Sequence, residues 1–497
     1  MKESPASPEG AEVQLLITSL VRSPFERKSA GVLSSAADSL ERSHWGNYML
    51  TETHLASLRA AIRGRVIARN DSEYDQARRV FNAMIDRRPG AIARCVGAAD
   101  VIACVRFARD HDLLVSVRSG GHGVAGLAVC DDGLVIDLSQ MKTVRVDLRE
   151  RIAQSDPGVT LKEFDHETQA FGLATTLGTI SMTGITGLTL GGGLGWLMGK
   201  HGLACDNLIS ADVVTADGHM VVASESENSD LFWALRGGSG NFGVVTSLKY
   251  RLHEQGPVFA GLVAHPMSDC AEALRYMRDF ALVAPDELGL MAAVLTLPDG
   301  NTITGLAGCY CGDVKEGERV LKPLRSFGKP LVDQFQVMPY TEFQKVMDWW
   351  AEPGKQHYWR SAFLNDLQES TLGTMANFGL NKPMHRSGFG LEFIHGTAAR
   401  ISSDATAFAH RKAPFNFLLL GSWDTSEQDE EGMRWVNDFW RDVQPSIGDR
   451  VYVNYLGTNE PAERVRGAYG ENYERLLAVK NKYDPSNFFR MNQNIRR

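Results

Sequence analysis

Apolar positions along the chain first become regular at Ala98. In "AADVIACVRFARDHD" the residues Val101, Val105 and Ala108 recur at helical spacing, and "LLVSV" (113–117) follows as a short apolar run, which predicts helix then strand. "GLVIDL", Gly133 to Leu138, predicts a second buried strand. "ADVVTADGHMVVA" holds two β-rich runs around Asp217-Gly218, a hairpin signal. In "TSLKYRL" Leu248, Tyr250 and Leu252 alternate with Ser247, Lys249 and Arg251, as one strand with two unlike faces. The stretch from Arg88 to His253 therefore predicts a mixed α/β domain.

Gly256-Pro257 breaks the pattern. The block that follows, to about Arg450, mixes strand-like runs such as "AAVLTL" and "FNFLLLGSW" with helical stretches, and is rich in tryptophan. It predicts a second α+β domain built on an antiparallel sheet, with no repeat at a solenoid period. "ENYERLLAVKNKYDP" predicts a helix stopped by Asp484-Pro485. The expected organisation is an N-terminal extension (1–45), a first domain (46–255), a second domain (256–450) and a C-terminal segment (451–497).

Composition narrows the function classes. The 497 residues carry 52 Lys+Arg against 60 Asp+Glu, a formal net charge of -8, so no basic field exists to hold a nucleic acid. The apolar run "LLITSLV" follows Glu9 and Glu12 instead of a basic segment, and is too short to span a bilayer. Seven cysteines spread over so long a chain do not resemble a disulfide framework. These features together lead to the expectation of a cytoplasmic protein with no membrane partner; a monomer or weak homo-oligomer is expected besides.

Two stretches are unusually rich in glycine. "VRSGGHGVAG" spans Val117 to Gly126, and "GTISMTGITGLTLGGGLGWLMGKHG" holds nine glycines between Gly178 and Gly202. Two such stretches in one domain point to backbone lying against a ligand, and successive backbone N–H groups suit a diphosphate. "GSGNFG" (238–243) fits the spacing of a dinucleotide fingerprint, but "DLFWALR" before it predicts a helix and "VVTSLKY" after it a strand, the reverse of the required order. "GWLMGK" lacks the first P-loop glycine and "GGSGN" lacks the last glycine of a nucleophile elbow. The pairs Cys309/Cys311 and His201/Cys205 stand alone, so no metal site is expected. His122 lies within the first stretch and Cys205 just beyond the second. Imidazole and thiolate are both nucleophiles able to add to an electrophilic ring, and a ligand with a diphosphate and such a ring is FAD.

"RSGGH", "GLTLGGGLGWLMGKHGLACDN", "YVNY" and "YERLLAVKNKYDPSNFFRMNQNI", with "GTAARISSDATAFAHR" more loosely, resemble the berberine bridge enzyme-like flavoproteins. That family carries the FAD domain of the vanillyl-alcohol oxidase and p-cresol methylhydroxylase (PCMH) superfamily. The resemblance implies a two-lobed α+β fold, with FAD joined to His122 through its 8α-methyl and to Cys205 through C6. It places Arg118, Ser119, Gly120, Gly121 and Gly123 around the diphosphate and Gly178, Gly184, Gly187, Gly191, Gly192 and Gly193 in the second cofactor loop. Val245 matches an adenine-side contact, Asn492 and Asn494 the C-terminal return, and Leu208, in "CDNL" after Asn207, a residue that gates oxygen. Tyr455 matches the catalytic base, with Tyr452 and Glu392 as further candidates.

The resemblance thus implies an FAD-linked oxidase acting on an alcohol or hemiacetal carbon of a sugar or natural product, or cyclising oxidatively, with reduced flavin returned by O2 to give H2O2. A dehydrogenase using another acceptor and a noncatalytic flavin-binding protein are the alternatives. Trp349, Trp350, Tyr358 and Trp359 are the expected wall of the substrate site.

Overall fold

Residues 50–496, apart from Pro298 and Asn459, are described by a computed structural model of the chain. The expected N-terminal extension and its apolar run lie outside the described residues. Among the described residues no helix is long and apolar enough to cross a membrane, and all seven cysteines are buried and free.

The helix foreseen at Ala98 runs Ala98–Asp110, and Val101, Val105 and Ala108 are fully buried on one face of it. It packs on a four-stranded sheet in which Ala91–Arg94 pairs antiparallel with Arg65–Ala68 and parallel with Leu134–Asp137, which in turn pairs parallel with Val115–Arg118. "RSGGHG" leaves the carboxyl end of that last strand, where α/β sheets commonly present loops to ligands.

A second sheet, all antiparallel, has the order 144–147, 152–155, 244–251, 208–214, 220–224. Its last two strands form the foreseen hairpin, turned at Gly218 with φ 76°. Leu248, Tyr250 and Leu252 are buried while Lys249 and Arg251 are exposed. Ser247 departs from the alternation: it is buried, accepting from Gln154 Nε2 at 3.0 Å. The helix Ser229–Leu235 precedes "GSGNFG" and the strand Val244–Arg251 follows it, so the dinucleotide reading fails on order, as the pattern indicates.

The third sheet has eight antiparallel strands. Its main path runs 332–333, 258–266, 302–310, 288–296, 388–393, 415–423, 356–364. Strand alternation gives it two different faces. Phe389, Leu391, Phe393, Phe415, Phe417 and Leu419 pack against helices including Glu369–Leu380 and Asp429–Val443, and each such fully buried side chain contributes about 1.5–3 kcal/mol. The opposite face carries Met291, Gly390, Glu392, Leu418 and Leu420 into a cavity.

Past the large sheet the chain returns to the first two. The helix Tyr473–Tyr483 ends where expected, because Asp484 accepts from Phe488 N (2.7 Å), Phe489 N (2.8 Å) and the buried Lys480 ammonium (2.6 Å). Asn241 then holds the tail, donating to Gln493 O (3.1 Å) and accepting from Ile495 N (3.1 Å).

Candidate active site

A cavity of ≈ 320 Å³ lies where the glycine loops, the large sheet and the C-terminal segment meet. One end is lined by Ser119 to Gly123, Gly178, Gly184 and Gly187, with Ser239, Gly240, Gly243 and Val245. The two glycine loops touch: a Cβ on Gly120 would stand 2.6 Å from Gly184 N. Backbone cannot yield as a flexible side chain can, so Gly120→Ala is expected to cost about 1–3 kcal/mol of stability and to lower flavin content. Denaturant unfolding and visible absorbance check this, and unchanged values would mean that the loops part freely. Gly123, Gly187 and Gly240 behave otherwise, since a Cβ on each would meet nothing within 4 Å.

His122 is half-buried in the first loop, its ring stacked on Phe81 at 4.0 Å, and Phe81 is stacked in turn on His357 at 4.2 Å. Asn82 fixes this arrangement by donating to Val124 O (2.8 Å) and His357 O (2.9 Å), tying the loop to a strand of the large sheet. The His122 Nε2 is buried without a hydrogen-bond partner, and burial pushes the ring's pKa down to about 4. A neutral imidazole with an uncommitted nitrogen thus faces the cavity's surroundings at neutral pH.

Across the cavity stand Glu392, Tyr455 and Tyr452. Alternation along Gly388–Phe393 turns Glu392 away from the helices, beside Asn416 on the next strand. Its Oε2 accepts from Asn416 Nδ2 at 2.6 Å and its Oε1 from the Tyr455 hydroxyl at 3.1 Å. Burial raises the carboxyl pKa to about 7. Tyr455, pressed edge-on between Trp359 and Tyr452, has its pKa raised well above 10 by burial and then by Glu392. Tyr452 accepts from Gly193 N (2.9 Å) and Asn454 Nδ2 (2.8 Å), and burial raises its pKa as well.

The segment 340–355 covers this end of the cavity, with Met347, Trp350 and Ala351 in its lining. It is anchored to the second glycine loop: Gln344 Nε2 donates to Gly178 O (2.6 Å), and Asp348 accepts from Ser181 N (2.7 Å) and Ser181 Oγ (2.6 Å).

Residues 89–224 match the FAD binding domain family, and residues 451–496 match the family of berberine and berberine-like proteins. The (R)-6-hydroxynicotine oxidase of Paenarthrobacter nicotinovorans is 32% identical over 454 residues, spanning 88% of this chain and 97% of its own. The chain belongs to the berberine bridge enzyme-like FAD-linked oxidoreductases. An FAD-linked oxidoreductase of Dictyostelium discoideum is 30% identical over 439 residues, 88% of this chain and 95% of the relative. Among solved structures, the glucooligosaccharide oxidase of Acremonium strictum, which carries a 6-S-cysteinyl, 8α-N1-histidyl FAD, is 25% identical with a TM-score of 0.80, covering 89% of this chain and 98% of that one. The family's PCMH-type α+β fold is therefore the fold of this chain, and FAD is its cofactor. The cavity fits FAD on its own evidence: open space above three glycines, a bare His122 nitrogen, and a buried Asn492 Oδ1 with no partner.

Several expected berberine bridge enzyme-like site residues lie elsewhere. Cys205 does not line the cavity. It sits in the 3-10 turn Ala204–Asp206, buried among Leu194, Met198, Phe408 and Tyr452, while Asp206 is locked to the buried Arg411 at 2.6 Å. Burial, and then Asp206, raises its thiol pKa. No other cysteine lines the cavity either. Asn207 is spent on His201 O (3.0 Å), Leu203 O (2.9 Å) and His253 Nε2 (2.7 Å), and Leu208 packs in the core beneath the second sheet. Arg118 reaches Asp137 (2.6 Å) and Ala77 O (2.5 Å), holding the root of the first loop instead of lining the cavity. Gly191, Gly192 and Gly193 make room for Asn454, Phe408 and Ala204, so packing, not a ligand, explains them. Asn494 lies outside the lining, whereas Asn492 is part of it.

The residues of the expected aromatic wall divide between the cavity and the surface. Trp350 and Trp359 line the cavity, but Trp349 is exposed and Tyr358, next to Trp359 on a strand, points to the other face toward Asn437. Sequence reasoning passed over Asn454 and Asn416. Asn454 stands between the two tyrosines of "YVNY", which was signal enough. Asn416 becomes a partner of Glu392 only through strand register.

Proposed function

We propose that this enzyme removes hydride from an alcohol or hemiacetal carbon, with Glu392 as the general base, FAD tethered through His122 alone, and O2 as the final acceptor giving H2O2. In this reading residues 46–255 with 451–497 hold the cofactor and 256–450 hold the substrate. The observation that carries it is the hydrogen-bonded Glu392–Tyr455 pair, which lines the same cavity as His122. FAD, when bound, accepts the hydride with its electron pair.

The chain's own residues handle the proton. A carboxylate whose pKa lies near 7 is well matched to take a proton at neutral pH. Tyr455 cannot be a standing phenolate, because its pKa is raised, not lowered. Its O–H already donates to Glu392 Oε1, so it can receive the substrate's hydroxyl proton as it passes its own to the carboxylate. The proton leaves substrate oxygen, the carbonyl forms as the C–H bond breaks, and Glu392 ends protonated. The base implied by the family resemblance thus becomes the relay, and the weaker candidate becomes the base. Tyr452, with both lone pairs occupied by N–H donors, orients the "YVNY" turn.

Relatives named as oxidases support O2 as the acceptor. Turnover in air is expected to yield H2O2 mole for mole with oxidised product. Turnover that needs an artificial dye acceptor and yields no peroxide would assign a dehydrogenase instead.

A further inference from the structure

The substrate half of the cavity has a composition that selects among chemical classes, granted the oxidoreductase reading above. On the large-sheet side its lining is Met291, Trp359, Leu418 and Leu420, with Met347 and Trp350 from the covering segment. Register makes this one continuous patch. Met291 pairs with Glu392, Gly390 with Leu418, and Trp359 with Leu420. Trp350 closes over it, its Cη2 3.7 Å from where a Cβ on Gly390 would lie.

The polar inventory of that wall is small. Glu392 is its one carboxylate, and one of its oxygens is already committed to Asn416 at 2.6 Å. The indole nitrogens of Trp350 and Trp359 are buried with almost no surface open to the cavity, so these two rings present apolar faces and edges to a ligand. A disaccharide brings many hydroxyl donors and would find a single side-chain acceptor among these residues. Hydroxyls buried against Met, Leu and Trp lose water without replacement, and that weakens binding. Flat rings, by contrast, suit aromatic and methionine walls.

We propose that the substrate is a largely apolar, ring-bearing alcohol with one hydroxyl directed at the Glu392–Tyr455 pair, and not a carbohydrate. The reacting hydroxyl is the one donor the wall can satisfy.

The holoenzyme titrated with 2-naphthalenemethanol and, separately, with cellobiose tests this, read by perturbation of the flavin absorption and by calorimetry. The naphthyl alcohol is expected to saturate with a Kd about 100-fold or more below that of cellobiose. Trp350→Ala is expected to weaken the naphthyl alcohol about tenfold while leaving cellobiose unchanged. Tighter or equal binding of cellobiose overturns the proposal, and so does failure of the naphthyl alcohol to bind. Glu392→Gln separates this proposal from the catalytic reading. If that variant keeps full turnover, the base assignment falls while the binding preference stands on its own result.

Discussion

Acid precipitation of His122→Ala is expected to leave a white pellet and a yellow supernatant, while the wild type and Cys205→Ala keep their colour in the pellet. The effect is all or none because it reports a covalent bond. At His122 the conditions for attack on an electrophilic carbon are present together: a neutral ring, its pKa pushed down to about 4 by burial, an uncommitted Nε2, and an orientation fixed by Phe81. At Cys205 none is. Nucleophilic cysteines are thiolates in electropositive, partly exposed surroundings, whereas this thiol is buried beside Asp206 with its pKa raised. Loss of colour from the Cys205→Ala pellet, or its retention by His122→Ala, would return both attachments to question.

Glu392→Gln is expected to slow flavin reduction by substrate about 10²–10⁴-fold, the usual worth of a positioned base, while flavin content stays the same. Tyr455→Phe should share part of that loss. In the wild type, kcat/KM should rise with pH through about 7, where the carboxyl loses its proton, and the inflection should vanish in Glu392→Gln. Stability should move the other way. The folded pKa is raised from the ordinary 4.5 to about 7, so the protonated carboxyl is the form that folding favours. That contribution is fully present below about 4.5 and is lost as pH rises through 7. At about 1.4 kcal/mol per pH unit the ionised group costs about 3 kcal/mol at pH 8. Glutamine removes that charge, and if the Asn416 amide turns over, its unpartnered Oδ1 can accept from the new amide. Glu392→Gln should therefore melt higher than the wild type at pH 8 and show little gain at pH 5. Equal melting temperatures at pH 8 would mean that the carboxylate is solvated there.

What could be read from the sequence was local. The helix at Ala98–Asp110, the hairpin at Asp217-Gly218 and the helix stop at Asp484 depend on neighbours a few residues away, and each formed where its pattern placed it. Glycine density alone does not separate Gly120 and Gly123, which line the cavity, from Gly191 to Gly193, which stand against neighbouring side chains, because bare backbone admits a side chain as readily as a ligand. Cys205 misled for a related reason: nearness to a glycine loop in sequence says nothing about which way a 3-10 turn aims its thiol. The pairing of Glu392 with Asn416 depends on the register of two strands whose order in the large sheet no local pattern fixes. Tyr358 was avoidable, since adjacent strand residues cannot share a face.

The two-faced large sheet separates what keeps the enzyme folded from what it acts upon. Phe389, Leu391, Phe417 and Leu419 belong to the helix-packed core, while their immediate neighbours Gly390, Leu418 and Leu420 face the cavity, where Leu418 and Leu420 pack in a separate cluster with Met291, Trp350 and Trp359. Descendants of this chain could exchange the second set, within the volume its own cluster allows, without disturbing the first, so the range of molecules accepted can drift in evolution while the helix-packed scaffold stands still. A combinatorial library confined to Gly390, Leu418, Leu420 and Met291, with apolar residues of similar volume at the last three, would sample new specificities while leaving the helix-packed core untouched, with Gly390 the position at which any added side chain narrows the chamber beneath Trp350.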